Sequence, residues 1–134
     1  MSRITIPDGA REIIDTLTSA GFEAYVVGGC VRDSLLGLEP HDWDICTSAL
    51  PSDVMSIFSE KRIIGTGMKH GTVTILTDSG GYEVTTFRID GDYSDHRRPD
   101  SVTFTTSLDE DLSRRDFTIN AMAYNDAVGL IDPF

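Results

Sequence analysis

Hydrophobic positions in this chain switch between two periods, and the switches mark out its elements. After Pro7 and Asp8, the apolar residues Ala10, Ile13, Ile14 and Leu17 keep helical spacing, and Gly21 ends the run. Phe22 to Val27 is largely apolar and aromatic and predicts a strand, and Val31 to Leu36 predicts a short helix closed by Gly37. His41 to Cys46 reads as a second strand, with Asp42 and Asp44 on one face and Trp43 and Ile45 on the other. Pro51 starts a helix that turns Val54, Ile57 and Phe58 inward, Lys61 to Ile64 predicts a short strand, and Gly65-Thr66-Gly67 a loop. Gly71 to Leu76 and Tyr82 to Phe87, rich in Val, Thr and Ile, predict strands joined by a hairpin turn at Asp78-Ser79-Gly80-Gly81. Ile89 to Pro99 is polar and predicts an exposed loop, and Val102 to Thr105 resumes a strand. Ser107-Leu108-Asp109-Glu110 fits a capping box, and Ser113 with Asp116 suits the cap of a helix carrying Phe117 to Ala123. The sum is an α+β domain, a mixed sheet of about five strands flanked by helices, with no repeat or low-complexity tract.

Length and composition narrow the class. The chain has 134 residues, 40% hydrophobic and 25% charged, enough for one globular domain with a real core. No apolar run approaches the ~18–20 residues of a membrane helix, and Met1 to Pro7 lacks the regions of a signal peptide. Cys30 and Cys46 form no CxxC and have no histidine at ligand spacing, so they read as reduced thiols of a cytoplasmic protein. His41 and His70 have no partner visible in the sequence, and His70 after Lys69 reads as a turn residue. The net charge of −11 argues against a wide nucleic-acid platform, because phosphate neutralisation supplies much of such affinity. Lys61 and Lys69 are the only lysines, while Arg88, Arg97, Arg98, Arg114 and Arg115 gather late in the chain. Those arginines suffice for a triphosphate and one RNA end.

The chemistry concentrates at Gly28-Gly29-Cys30-Val31-Arg32-Asp33 and at Asp42-Trp43-Asp44-Ile45. On a strand, Asp42 and Asp44 share a face at ~6–7 Å along the backbone, and two like charges there repel unless a cation lies between them. A hard divalent cation with oxygen ligands, Mg²⁺ above all, answers that need better than the alternative of an exposed, merely acidic edge strand. Gly28 and Gly29 form a tight strand-to-helix turn, and glycine lets backbone N–H groups approach a phosphate closely. Arg32, one turn into the helix, is placed to reach a triphosphate by a charge-assisted contact. Asp33 suits a helix end or a neighbouring arginine better than a metal. Asp116 and Asn120 fall at i and i+4, on one face of a helix, beside Arg114 and Arg115. A nucleotide contact and a surface ion network both fit that pattern.

Three motifs in order carry a resemblance. Val27 to Asp33 through Asp42-Trp43-Asp44-Ile45, then Glu83-Val84-Thr85-Thr86-Phe87-Arg88, then Arg114-Arg115-Asp116-Phe117-Thr118-Ile119-Asn120-Ala121 resemble the bacterial tRNA nucleotidyltransferases (CCA-adding enzymes) and poly(A) polymerases. Together they cover most of residues 22 to 126. The resemblance implies a polymerase-β-like head and template-independent transfer of CMP or AMP from CTP or ATP to a tRNA 3′ end, using two Mg²⁺ ions. It implies catalytic roles for Asp42, Asp44 and Glu83, although Glu83 alone also reads as a solvated strand end. It assigns nucleotide contacts to Gly28, Gly29 and Arg32, ribose contacts to Asp116 and Asn120, and phosphate contacts to Arg114 and Arg115. Tyr93, Arg97 and Arg98 fall in a loop similar to that of complete CCA-adding and A-adding members.

The family's longer members carry helical domains beyond this region, which read the base and hold the tRNA. The expectation is therefore a catalytic head, residues 1–134, cut from a longer chain and binding tRNA weakly by itself. Alternatives are a poly(A) polymerase, an A-adding or CC-adding relative, a small-molecule modifier, a nucleotide-binding module without activity, and a purely structural domain. The Asp42/Asp44 pair speaks against the last two, and the Arg114–Asn120 segment against the small-molecule modifier.

Overall fold

The computed structural model describes residues 6–38, 43–65, 71–77, 80–90, 102–113 and 122–131. Helix α1 (Asp8–Ser19) is amphipathic and buries Ala10, Ile13, Ile14 and Leu17. Its end is closed by Gly21 N–H to Thr18 C=O and Phe22 N–H to Leu17 C=O, and Gly37 and Leu38 close α2 (Gly29–Leu35) in the same way. This paired closure satisfies carbonyls that the helix itself leaves unbonded. Helix α3 (Pro51–Ile57) starts with Pro at its first position, and its Asp53 carboxylate takes the Leu50 N–H at 3.2 Å. Helix α4 (Leu108–Ser113) is capped by Ser107, whose Oγ accepts the Glu110 N–H at 3.3 Å. The reciprocal half of the expected box is replaced: Ser107 N–H goes to Thr105 Oγ1, and Thr105 Oγ1–H goes to the Glu110 carboxylate.

Among the described residues seven strands form one mixed sheet in the order β3 (Arg62–Ile64), β4 (Thr72–Thr77), β5 (Gly80–Thr86), β2 (Asp44–Thr47), β1 (Ala24–Val27), β8 (Ala123–Asn125), β9 (Gly129–Ile131). Among the described residues only β2 and β5 pair in parallel. A separate ribbon joins β6 (Arg88–Asp90) to β7 (Val102–Phe104). The sheet is thus wider than the five strands the sequence suggests. Residues 89 and 90, expected in a loop, belong to β6; Gly80 and Gly81, expected in a turn, begin β5; and Ala123, expected at a helix end, opens β8. The start of the second strand also differs, since Trp43 lies before β2.

Both faces of the sheet are used. Ala24, Val26, Ile45, Val73, Ile75, Tyr82 and Val84 pack beneath α1, α2 and α3 as the main core. On the other face Tyr25, Val27, Cys46 and Phe87 pack with Leu108 and Leu112 of α4 and with Ala123. Strand β1 is buried at all four positions because it serves both cores. Each fully buried Val, Leu, Ile or Phe contributes about 1.5–3 kcal/mol, so α4 is held chiefly by Leu108 and Leu112. The second core stops short of Asp44 and Glu83, which remain exposed on that same face.

Candidate active site

The register across three strands builds the acidic centre. Val27, the last residue of β1, faces Asp44, and Asp44 faces Glu83 on the parallel neighbour β5. Glu83 in turn faces Thr74 of β4. Neighbouring strands lie about 5 Å apart, so Asp44 and Glu83 are adjacent carboxylates on one face. Ile45 packs in the main core and Cys46 in the second, so Asp44 falls on the second core's face, where the sheet is open, as the alternation of the sequence suggests. An open cleft of about 340 Å³ lies there, lined by Trp43, Asp44, Gly81 and Glu83. Gly81 lies two residues before Glu83, opposite Leu76, and a Cβ on it would come 3.0 Å from Leu76 Cδ2. Its bare backbone keeps the cleft open beside the acid. The sequence reading missed Gly81 and Trp43 as lining residues, although the i, i+2 spacing of Gly81 and Glu83 carried the signal.

The glycine turn sits where β1 runs out beside Asp44. Gly28 has φ 82° and ψ −137°, a backbone region closed to residues with a side chain, and its N–H bonds to Met122 C=O at 3.2 Å. Its carbonyl accepts from Val31 and Arg32 and starts α2 at Gly29, two residues earlier than the sequence suggests. Cys30 is buried inside the turn, and its thiol donates to Val27 C=O at 3.3 Å. Burial pushes that thiol up to about 11, with the Asp44 charge adding to the rise and backbone hydrogen bonds from Asp44 and neighbours opposing it. Cys30 is therefore a structural spacer between the turn and Asp44, not a nucleophile.

Arg32 folds back over the turn. Its Nε donates to Asp33 Oδ1 at 3.0 Å, and its Nη2 lies 3.2 Å from the place a Cβ on Gly29 would occupy. Asp33 thus orients an arginine, as its sequence position suggests. Away from the cleft, Tyr25 donates to Glu23 at 2.7 Å and stacks on Phe87 with ring centroids 6.4 Å apart. Burial, and then Glu23, raises its phenol.

The structure therefore brings together Gly28, Gly29, Arg32, Asp44 and Glu83. Asp42, Arg114, Arg115, Asp116, Asn120, Tyr93, Arg97 and Arg98 lie outside the described residues. Among the described residues no three His, Cys, Asp or Glu side chains gather as a metal centre. Asp44 and Glu83 supply a pair of exposed, oxygen-only donors of like charge, a set that suits a hard divalent cation. Cys46, one step further along β2, is buried in the second core, and neither cysteine is in a disulfide.

Comparison with known proteins gives a consistent set of relatives. Residues 24–134 match the family model described as the poly A polymerase head domain. The chain is 59% identical over 125 residues to the CCA-adding enzyme of Geobacillus thermodenitrificans, covering 93% of this chain and 30% of that protein. It is 57% identical over 125 residues to the CCA-adding enzyme of Lactiplantibacillus plantarum, with the same coverage of 93% and 30%. The crystal structure of the Bacillus stearothermophilus CCA-adding enzyme in complex with CTP superposes with a TM-score of 0.82 at 52% identity, over 93% of this chain and 29% of that one. The chain thus spans about 30% of the length of the curated relatives it matches. No helix among the described residues is long and apolar enough to cross a membrane.

Proposed function

The chain belongs to the poly A polymerase head-domain family, and from that premise we propose that residues 1–134 form the catalytic head of a CCA-adding nucleotidyltransferase. The observation that carries this reading is the register that sets Asp44 opposite Glu83 at the mouth of an open cleft, next to the Gly28–Gly29 turn. An acceptor's 3′-hydroxyl attacks the α-phosphate of CTP or ATP, a new P–O bond forms, and pyrophosphate leaves. The acceptor is the 3′ end of a tRNA in the cytoplasm. CTP and ATP are the donors, as the CTP bound to the Bacillus stearothermophilus relative suggests.

The residues divide the work by position. The glycine turn admits the triphosphate without a side chain in the way, and the first N–H groups of α2 have no carbonyl within the helix to bond. Arg32 lies over that turn, pre-aimed by Asp33, and offers its guanidinium to phosphate oxygens. Arg114 and Arg115 serve the phosphates, and Asp116 and Asn120 the ribose hydroxyls, which is how the site prefers ribonucleotides. Tyr93, Arg97 and Arg98 meet the RNA end. Asp42, Asp44 and Glu83 hold Mg²⁺ (two ions). When bound, the metal would lower the acceptor hydroxyl's pKa and neutralise charge on the departing pyrophosphate. The chain's own share is positioning and fixed electrostatics.

Incubation with a tRNA lacking its 3′ CCA and each of the four nucleoside triphosphates tests this. Incorporation of CMP and then AMP supports the reading. Addition of AMP alone, to any RNA 3′ end, would turn it toward poly(A) synthesis, and no incorporation with any donor would overturn it for this chain.

A further inference from the structure

The register that sets Asp44 beside Glu83 continues past them. Asp44 faces Glu83, Glu83 faces Thr74 and Thr74 faces Ile64, so one row crosses β2, β5, β4 and β3 on a single face of the sheet. A second row, Gly81, Leu76 and Arg62, runs beside it. The alternate residues Ile63, Val73, Ile75, Tyr82 and Val84 belong to the main core or pack on it, which puts both rows on the opposite face. A Cβ on Gly81 would meet the side chains of Leu76 and Thr74, so these neighbours share its side. At about 4.8 Å per strand, Ile64 lies about 14 Å from Asp44.

The strip leads away from the cleft in one direction. Toward β1 the same face is occupied by Leu108 and Leu112 of α4, packed with Tyr25, Val27, Cys46 and Phe87. Toward β3 it stays open: Arg62 is exposed, Ile64 is 43% exposed, and Thr74 and Leu76 are half-buried. Its chemistry changes along the way, from two carboxylates, past a hydroxyl and two apolar side chains, to a guanidinium. Arg11, Arg32 and Lys61 are each held by a carboxylate, of Asp126, Asp33 and Glu12. Arg62 takes part in no ion pair among the described residues. A charged side chain on an edge strand also serves to keep two sheet edges apart. A polyanion whose end lies among acids, by contrast, needs its next positive contact some way behind that end. Single-stranded nucleic acid lies on protein surfaces through such contacts to its backbone, with its bases over apolar side chains.

We propose that the strip from the Asp44–Glu83 cleft across Thr74 to Ile64 and Arg62 is the bed of the acceptor RNA's single-stranded 3′ end, with Arg62 holding a backbone phosphate behind the reacting hydroxyl. Sugars and bases lie over Thr74, Leu76 and Ile64. The inference rests on the reading of the cleft as the place where that hydroxyl reacts. A single cation gives a weak grip, because each phosphate contact to a single strand adds only about −0.7 to the slope of log affinity against log salt.

The test is a titration of the ¹⁵N-labelled chain, in Mg²⁺, with a short single-stranded RNA ending in a 3′-hydroxyl, followed through backbone amides by nuclear magnetic resonance, with CTP titrated in parallel. The amides of Arg62, Ile64 and Thr74 should shift with RNA. Arg62→Glu should weaken RNA by about threefold or more and flatten the salt slope by about 0.7, with CTP affinity within about twofold, whereas Arg62→Lys keeps most of the RNA affinity. Arg62→Glu leaves a charge on the edge strand, so an arginine that only guards the edge would leave RNA binding as it is. A loss below about threefold in Arg62→Glu therefore overturns the proposal. So do RNA-induced shifts that leave these three amides in place, and a wild type that binds CTP but no RNA. A wild type that binds neither defeats the functional reading of the cleft, and the proposal with it.

Discussion

Gly28 and Gly29 are neighbours with separable tasks, and alanine at each should fail in a different assay. Gly28 holds φ 82° and ψ −137°, where a side chain strains the backbone by about 1–3 kcal/mol. That is a large fraction of the roughly 5–15 kcal/mol that holds a domain together, so Gly28→Ala should lower the urea midpoint clearly. Gly29 is an ordinary helical residue, and helix propensity there favours alanine by about 0.5–1 kcal/mol. Its new Cβ would instead sit 3.2 Å from Arg32 Nη2, the far end of a flexible side chain that can move aside. Displacing the guanidinium forfeits one charge-assisted contact, about 1.5–3 kcal/mol, which is about 10- to 150-fold in CTP affinity. Gly29→Ala should therefore keep wild-type stability in urea and lose affinity in a calorimetric titration with CTP and Mg²⁺. A Gly29→Ala protein that is destabilised yet binds CTP normally, or a Gly28→Ala protein of unchanged stability, would refute the assignment of the turn.

Other consequences follow from single contacts. Asn125 is buried with its Nδ2 on Ala24 C=O at 3.0 Å and its Oδ1 on Val128 N–H at 2.8 Å; Asn125→Ala should cost about 2–3 kcal/mol in urea unfolding, and a loss below about 0.5 kcal/mol would contradict it. Cys30 is raised from its ordinary 9.0 to about 11 in the fold. Both states keep the proton below pH 9, and between pH 9 and 11 only the unfolded chain loses it, so stability should fall there by about 2–3 kcal/mol. Urea midpoints of wild type against Cys30→Ala across that range should show the variant falling less. Nucleotide binding should need Mg²⁺ and be nearly blind to the base, because the turn, Arg32 and the Arg114–Asn120 segment address phosphate and ribose; a preference of about tenfold for CTP and ATP over GTP and UTP in calorimetry would contradict this. At net charge −11, tRNA binding by this chain should be weak with a shallow salt dependence, and submicromolar affinity with a steep slope in a salt-series titration would contradict that.

What the sequence made legible was local. Helix α1 declared itself through the spacing of Ala10, Ile13, Ile14 and Leu17 and the stop at Gly21, and all four residues are buried as expected. The alternation of Trp43 and Ile45 with Asp44 fixed which way that acid faces. The hairpin of β8 and β9 was missed because three-residue strands carry too little alternation to register, and their pairing depends on β1, about a hundred residues earlier. Of the β6–β7 ribbon, β7 was expected at Val102 to Thr105, but β6 was missed for the same reason, since a three-residue strand beside a polar run looks like part of the run. The adjacency of Asp44 and Glu83 could not be read from spacing either. They are 39 positions apart (83 − 44) and meet only because β2 and β5 pair in parallel. That pairing turns Glu83, which the sequence alone leaves open between strand end and ligand, into the neighbour of Asp44.

The most direct measurement is incorporation of labelled CMP from CTP into a tRNA lacking its 3′ CCA, in Mg²⁺, by wild type and by Asp44→Asn at equal protein concentration. Asp44 is exposed, so its replacement leaves the core intact, and equal melting temperatures establish that both proteins are folded. The account predicts incorporation by wild type and a loss of about 100-fold or more in Asp44→Asn. Incorporation by Asp44→Asn within about threefold of wild type would contradict the assignment of the carboxylate pair as the catalytic centre.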